Sequence, residues 1–171
     1  GSDILKDISD DEKVFVIISR VYNITDPVLN MGIEDKLKSM GYKVLHLSHL
    51  EASNIEISLD YDNMYWPFGQ HLLTAARIIK NNKNLYPVYI TNHGCGPDTV
   101  ISHYIKRELS GKPYLHLEVD EHSSKVGIIT RVEAFVNSLN NLKNKDIIKT
   151  EENIDVYKKD IKSIEENIII P

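Results

Sequence analysis

Four apolar runs punctuate the chain, and between them hydrophobic residues recur at three- and four-residue spacing. That alternation predicts βαβ units around a parallel sheet. The first run, VFVII, is continuous rather than alternating, as a strand buried on both faces requires, so it reads as a central strand. A polar turn holding Arg20, Tyr22, Asn23, Asp26 and Pro27 follows. Residues 31–40 then place Ile33, Leu37 and Met40 at helical spacing, with Gly41 as the stop. YKVLHL is the second strand. Residues 64–80 carry Leu72, Leu73, Ala76 and Ile79 on one helical face, with Pro67 and Gly69 in the first turns or the loop before them.

PVYIT at 87–91 is the third strand, and it delivers the chain to a helix opened by Pro97, with Val100, Ile101, Tyr104, Ile105 and Leu109 as its buried stripe and Gly111 as its end. YLHLEV at 114–119 is the fourth. DEHSSKVG leads from it into a helix whose Ile128, Ile129, Val132, Phe135, Val136 and Leu139 recur at three and four residues. The expected architecture is a three-layer, Rossmann or flavodoxin-like α/β domain with a mainly parallel sheet in the order 2-1-3-4, spanning residues 1–148. Residues 149–171 read as a polar linker and, in the apolar end NIIIP, the start of a next element. The expectation is a piece cut from a longer polypeptide, with a terminal edge strand as the alternative.

A net charge of −5 opposes nucleic acid or an anionic membrane as partner, since both need a basic face. No apolar stretch is long enough to span a bilayer, a single cysteine excludes an internal disulfide, and no secretion signal is visible. A cytoplasmic protein is expected.

Right-handed crossovers between parallel strands bring their carboxyl ends to one edge of the sheet. Three groups then converge: Arg20, Tyr22 and Asn23; Asn92, His93 and Cys95; and Glu118, Asp120, Glu121 and His122. Cys95, the only cysteine, stands in TNHGCGPD where a strand gives way to a helix. Gly94 and Gly96 on either side let the backbone take φ > 0 or approach a ligand closely, and the helix amides favour a thiolate. The sulfur is a candidate metal or cluster ligand first and a nucleophile second, with His93 or His122 as base; a small side chain filling a turn is the plain alternative. Asp120, Glu121 and His122 resemble a metal site in composition, but neighbours on one loop cannot all face one ion, and helix capping explains them as well. Arg131 and Glu133 could be a solvated pair. Tyr65, Trp66 and Phe68 read as a hydrophobic lid or as a surface for a neighbouring domain. A flavin- or nucleotide-binding module stays open on fold alone, without a G-x-G-x-x-G or Walker-type loop to support it.

Taken together, MYWPFGQ at 64–70, TNHGCGPD at 91–98 and KPYLHLEVDEHSSKVGIITRVEAF at 112–135 resemble, in order and spacing, the 2-hydroxyacyl-CoA dehydratase and benzoyl-CoA reductase family. The resemblance runs from about residue 30 to 139 and is closer to the large CoA-substrate-specific enzyme activases. It implies that Cys95 is a thiolate ligand of a 4Fe–4S cluster lying between two Rossmann-like domains, in a system that drives single electrons into acyl-CoA at the expense of ATP. The candidate cofactor-binding set is Cys95 with Gly94, Gly96 and Asp98, Cys95 being the metal ligand; no catalytic residue is assigned. The companion cysteines and the ATPase domain are missing from this sequence, and His93 departs from the pattern. An isolated domain should therefore be inactive and hold no cluster of its own, with other domains of the same polypeptide, and a dehydratase or reductase subunit, as partners.

Overall fold

Five residues buried on every side, Val14–Ile18, form β1 at the centre of a four-stranded sheet ordered β2-β1-β3-β4. The computed structural model describes residues 8–9, 12–26, 28–50, 52, 60–61 and 63–142. In chain order the elements are β1, α1 (Val21–Thr25), α2 (Ile33–Ser39), β2 (Lys43–His46), a 3-10 turn (Leu47–His49), α3 (Pro67–Lys80), β3 (Leu85–Asn92), α4 (Gly96–Glu108), β4 (Leu115–Val119) and α5 (Lys125–Leu142). All three strand pairings are parallel, with Val16 opposite both Leu45 and Pro87, and Val88 opposite Leu115. The predicted strand order is the observed one. The chain divides into two units, Gly1–Val136 and Asn137–Pro171, and the description below concerns the first. The expected linker at 149–171 and its NIIIP end lie outside the described residues.

Because successive side chains of a strand point to opposite faces, β1 serves two cores at once. Val14, Val16 and Ile18 join Leu85 and Tyr89 of β3 beneath α3 and α4, where Leu72, Leu73, Ile79, Ile101 and Ile105 are buried. Phe15 faces the other way and meets the ring of Phe135 on α5 at 6.1 Å and that of Tyr42 edge-on at 5.1 Å. Ile33 and Leu37 of α2 are fully buried, and Lys36 pairs with Glu133 of α5 at 2.5 Å. Glu133 therefore bonds across to another helix, while Arg131 donates to the His116 carbonyl at 2.8 Å; the two are not the solvated pair that their spacing suggested.

Boundaries moved where local stereochemistry overrode periodicity. Met31 and Gly32 both take left-handed φ, 53° and 70°, so α2 starts at Ile33 rather than at 31. α3 starts at Pro67, whose missing amide is harmless in a first turn. β3 begins at Leu85, ahead of Pro87. At that point β4 has not yet begun to pair, so Pro87 lies on a temporary edge, where proline is tolerated. No helix among the described residues is long and apolar enough to cross a membrane.

One buried charge fastens α3 to α4. Glu108, 9% exposed, accepts from Arg77 Nε at 2.9 Å and Nη2 at 3.1 Å, and from the Tyr61 hydroxyl. Arg107 lies 4.8 Å over the Tyr61 ring. Burial pushes the Glu108 carboxyl up, but the hydrogen bonds from Arg77 and Tyr61 outweigh it and hold the group below its ordinary value. A lowered folded value means that its stabilising contribution is full above about pH 4.3 and fades as pH falls below that. Glu108→Ala should cost about 2–4 kcal/mol in urea unfolding at pH 7, because a half-buried guanidinium loses its main counter-charge. The gap between wild type and variant should narrow as pH is lowered from about 4.3 toward 3. A gap that holds constant across that range would count against the assignment.

Candidate functional site

The loop after β1 is tied to β3 before it reaches the site. Ser19 donates its hydroxyl to the Ile90 carbonyl at 2.7 Å and accepts from the Asn23 side-chain amide at 2.9 Å, all three residues being buried. This fixes Arg20, the residue that caps α1 in extended conformation, over the start of α4. Arg20 Nε donates to Asp98 Oδ1 at 2.8 Å and Nη2 donates to Cys95 Sγ at 3.3 Å. The other Asp98 oxygen accepts from the Asn92 backbone amide at 3.1 Å. Asp98 is 4% exposed, so a carboxylate that is normally costly to bury has a cation on one oxygen and a peptide dipole on the other.

Aromatic faces complete the holder. The Arg20 guanidinium lies 5.3 Å from the Trp66 ring and 6.0 Å from that of Tyr22, and the Tyr22 hydroxyl accepts from the Asn92 side-chain amide at 3.2 Å. Burial opposes the charge on Arg20, yet Asp98 outweighs it and raises its proton affinity further. Trp66 can reach this position because Gly69 has no side chain. A Cβ there would fall 2.7 Å from Met64 Sδ and 2.9 Å from Trp66 Cε3.

Cys95 is half-buried and forms the N-cap of α4; its carbonyl accepts from Thr99 N–H at 2.9 Å. Gly94 takes φ +71°, the left-handed turn that its residue type favours. Gly96 opens the helix without a left-handed φ, and a Cβ there would meet nothing within 4 Å, so of the two expected reasons for a glycine only close approach of a ligand applies to it. The structure thus brings together Cys95, Asp98, Arg20, Tyr22 and Asn92, with Gly94 in the turn. His93 is exposed, its amide extending the ladder to the Val119 carbonyl at 2.9 Å. The His122 side chain is 82% exposed, and among the described residues no hydrogen bond joins either histidine to Cys95.

The Asp120 to His122 segment is a turn bonded to itself ahead of α5. Asp120 accepts from His122 N–H at 3.0 Å and from the Ser123 hydroxyl at 2.8 Å, and its amide donates to Ser123 Oγ at 2.9 Å. The Ser123 bond, more than any other influence, lowers the proton affinity of Asp120. Among the described residues no group of three His, Cys, Asp or Glu could hold a metal ion.

Of the aromatic segment, Tyr65 is 82% exposed while Trp66 and Phe68 pack partly onto the core. An open apolar cleft of about 500 Å³ lies between Met64, Tyr65 and Trp66 and the Gly96, Pro97 and Val100 side of α4. A second cleft, of about 590 Å³, lies on the other side of Asn92 and His93, floored by Val28, Leu29, Met31 and Val119. The role of Arg20 and the contact with Trp66 carry no spacing signature; a cation directly after a central strand is the one hint available to sequence reasoning.

Residues 1–50 match the family model described as CoA enzyme activase uncharacterised domain. That is the class of protein the three motifs resemble, and the match covers β1, β2 and Arg20 but stops short of Cys95. No curated protein and no solved structure matches the chain.

Asp98→Ala should cost about 2–4 kcal/mol by leaving a half-buried guanidinium and a backbone amide without their acceptor. It should also shift the emission of Trp66, the only tryptophan, because the guanidinium loses its anchor. Urea unfolding followed at that residue reads both effects, and unchanged emission with unchanged stability would remove Asp98 from the site.

Proposed function

We propose that this chain is a domain of a CoA-substrate enzyme activase-type protein, in which Cys95 contributes one thiolate to an iron–sulfur cluster completed by another domain. The observation that carries the reading is the placing of the only thiol at the carboxyl edge of the parallel sheet, half-buried, with a fixed cation donating to its sulfur at 3.3 Å. The donor set fits a shared cluster and does not fit a self-contained one, because cysteine-ligated clusters take several thiolates and this chain has one. When bound, such a cluster supplies single-electron transfer to acyl-CoA substrates.

The chain's own contribution is positioning. The N-cap of α4 fixes the Cys95 backbone, and Arg20 holds the side chain toward the edge and places positive charge beside the sulfur. Asp98 keeps Arg20 in place from below. The apolar cleft of Tyr65, Trp66, Pro97 and Val100 begins at Gly96, the residue after Cys95, and suits a second domain that would exclude water from this edge. The family match over residues 1–50 supports the parent class; the cluster role rests on Cys95 and on the motif resemblance.

Anaerobic incubation with ferrous iron, sulfide and a small monothiol such as 2-mercaptoethanol tests the reading, since free thiols can stand in for the missing ligands. The chain should then carry thiolate-to-iron absorption through a desalting column, and Cys95→Ser should carry none. Without the monothiol, iron retention should fall to the level of Cys95→Ser. Equal retention by wild type and Cys95→Ser, or a stoichiometric cluster in the wild-type monomer without added thiol, would overturn the proposal.

A further inference from the structure

The turn that leaves β2 is closed by two imidazoles bonded to each other's backbones. The His46 amide donates to His49 Nδ1 at 2.9 Å, and the His49 amide donates back to the His46 side chain. His46 Nε2 lies 3.0 Å from Glu34 Oε2, and the two rings are 5.4 Å apart. These contacts fix both tautomers. An ionised carboxylate only accepts, so His46 carries its proton on Nε2 and offers Nδ1 to the His49 amide; His49 accepts at Nδ1 and therefore also carries its proton on Nε2.

Reciprocal caps of this kind are ordinarily built from hydroxyl and carboxyl or amide oxygens, which keep their lone pairs near neutral pH. Imidazoles do not. A proton taken up at either Nδ1 turns an acceptor into a donor that faces another donor, and that half of the cap is lost. We propose that His46 and His49 form an acid-sensitive latch on the turn after β2, closed when the His49 ring is neutral and open when it is protonated.

Around His49 the surroundings favour the neutral, closed form. Burial, and then the neighbouring His46, lower the proton affinity of His49. On the α2 side Glu34 faces His46 and is itself bonded by Lys38 at 2.6 Å. On the α3 side His71, whose proton affinity is lowered by burial, lines a cleft of about 360 Å³ together with His46, Leu47, Ser48 and Phe68. A lowered folded value means that protonation is resisted by the closed turn. Its contribution is full above about pH 6.5, the ordinary histidine value, and is lost as pH falls through the His49 range. Leu47 and Leu50 are 4% exposed and anchor the turn on either side, so opening frees the backbone of residues 46–49 and the cleft wall, not the whole segment.

Imidazole nitrogen NMR on the full chain, together with amide hydrogen exchange at residues 46 and 49, tests the latch. Both rings should be Nε2–H tautomers at pH 8. Between pH 8 and pH 5 the protection factor at the His46 amide, corrected for intrinsic exchange, should fall roughly fivefold or more, the equivalent of one ordinary hydrogen bond. The fall should follow the midpoint of the His49 ring. In His49→Asn, whose amide oxygen accepts without titrating, protection at residue 46 should be flat over that range. An Nδ1–H tautomer at pH 8 for either ring, or wild-type protection independent of pH, would overturn the proposal. So would a His49→Asn variant that folds and still loses protection with acid.

Discussion

The guanidinium of Arg20 joins several elements at the carboxyl edge. It leaves the end of β1, forms an ion pair with Asp98 in the first turn of α4, donates to the sulfur of Cys95, and lies against Trp66 from the segment before α3. Removing any one of these leaves the others misplaced, because the cation is largely shielded from water and the carboxylate beneath it is buried. A pair of this kind adds little to net stability compared with a well-packed apolar equivalent, but breaking one half is expensive. Its value lies in geometry: it sets where the only thiol points.

The rest of the unit is arranged so that this edge can be polar. Both faces of β1 are filled with apolar side chains, and the α3–α4 seam is closed at its far end by the Arg77, Glu108 and Tyr61 cluster. Near the edge, by contrast, buried polar atoms are incompletely bonded. Among the described residues, Asn23 Oδ1, Asn92 Oδ1 and the Tyr89 hydroxyl have no hydrogen-bond partner. Each such group costs about 1–3 kcal/mol. Tyr89, stacked on His116 at 4.9 Å, is held protonated, first by burial and then by the nearby Asp98 charge. Stability is thus drawn from the sheet faces and the α3–α4 seam, and is given up around Cys95.

The family match and the site geometry bear on different parts of the chain. Residues 1–50 hold β1, β2, Arg20 and both latch histidines, whereas Cys95, Asp98 and Trp66 come later. The two halves meet through Arg20. A cation contributed by the matched segment and a thiol contributed by the unmatched one form a single hydrogen bond, so the two stretches act as one structural unit at this edge.

The sequence by itself determined the strands, their parallel arrangement, the central place of VFVII and the position of Cys95 after β3. These follow from local periodicity, turn residues and the handedness of crossovers, all of which act over a few residues or through a general rule of topology. Only the tertiary structure decided what surrounds the sulfur. Arg20 is separated from Cys95 and Asp98 by 75 and 78 positions, and no spacing rule reaches so far. The same holds for Gly69, whose missing Cβ makes room for Trp66, and for Gly96, which needs no special backbone although its neighbour Gly94 does. The Asp120 cluster and the His46 and His49 pair are local in sequence, yet composition alone cannot tell a hydrogen-bonded turn from a metal site. Donors and acceptors distinguish them, and those are fixed only once the backbone has folded.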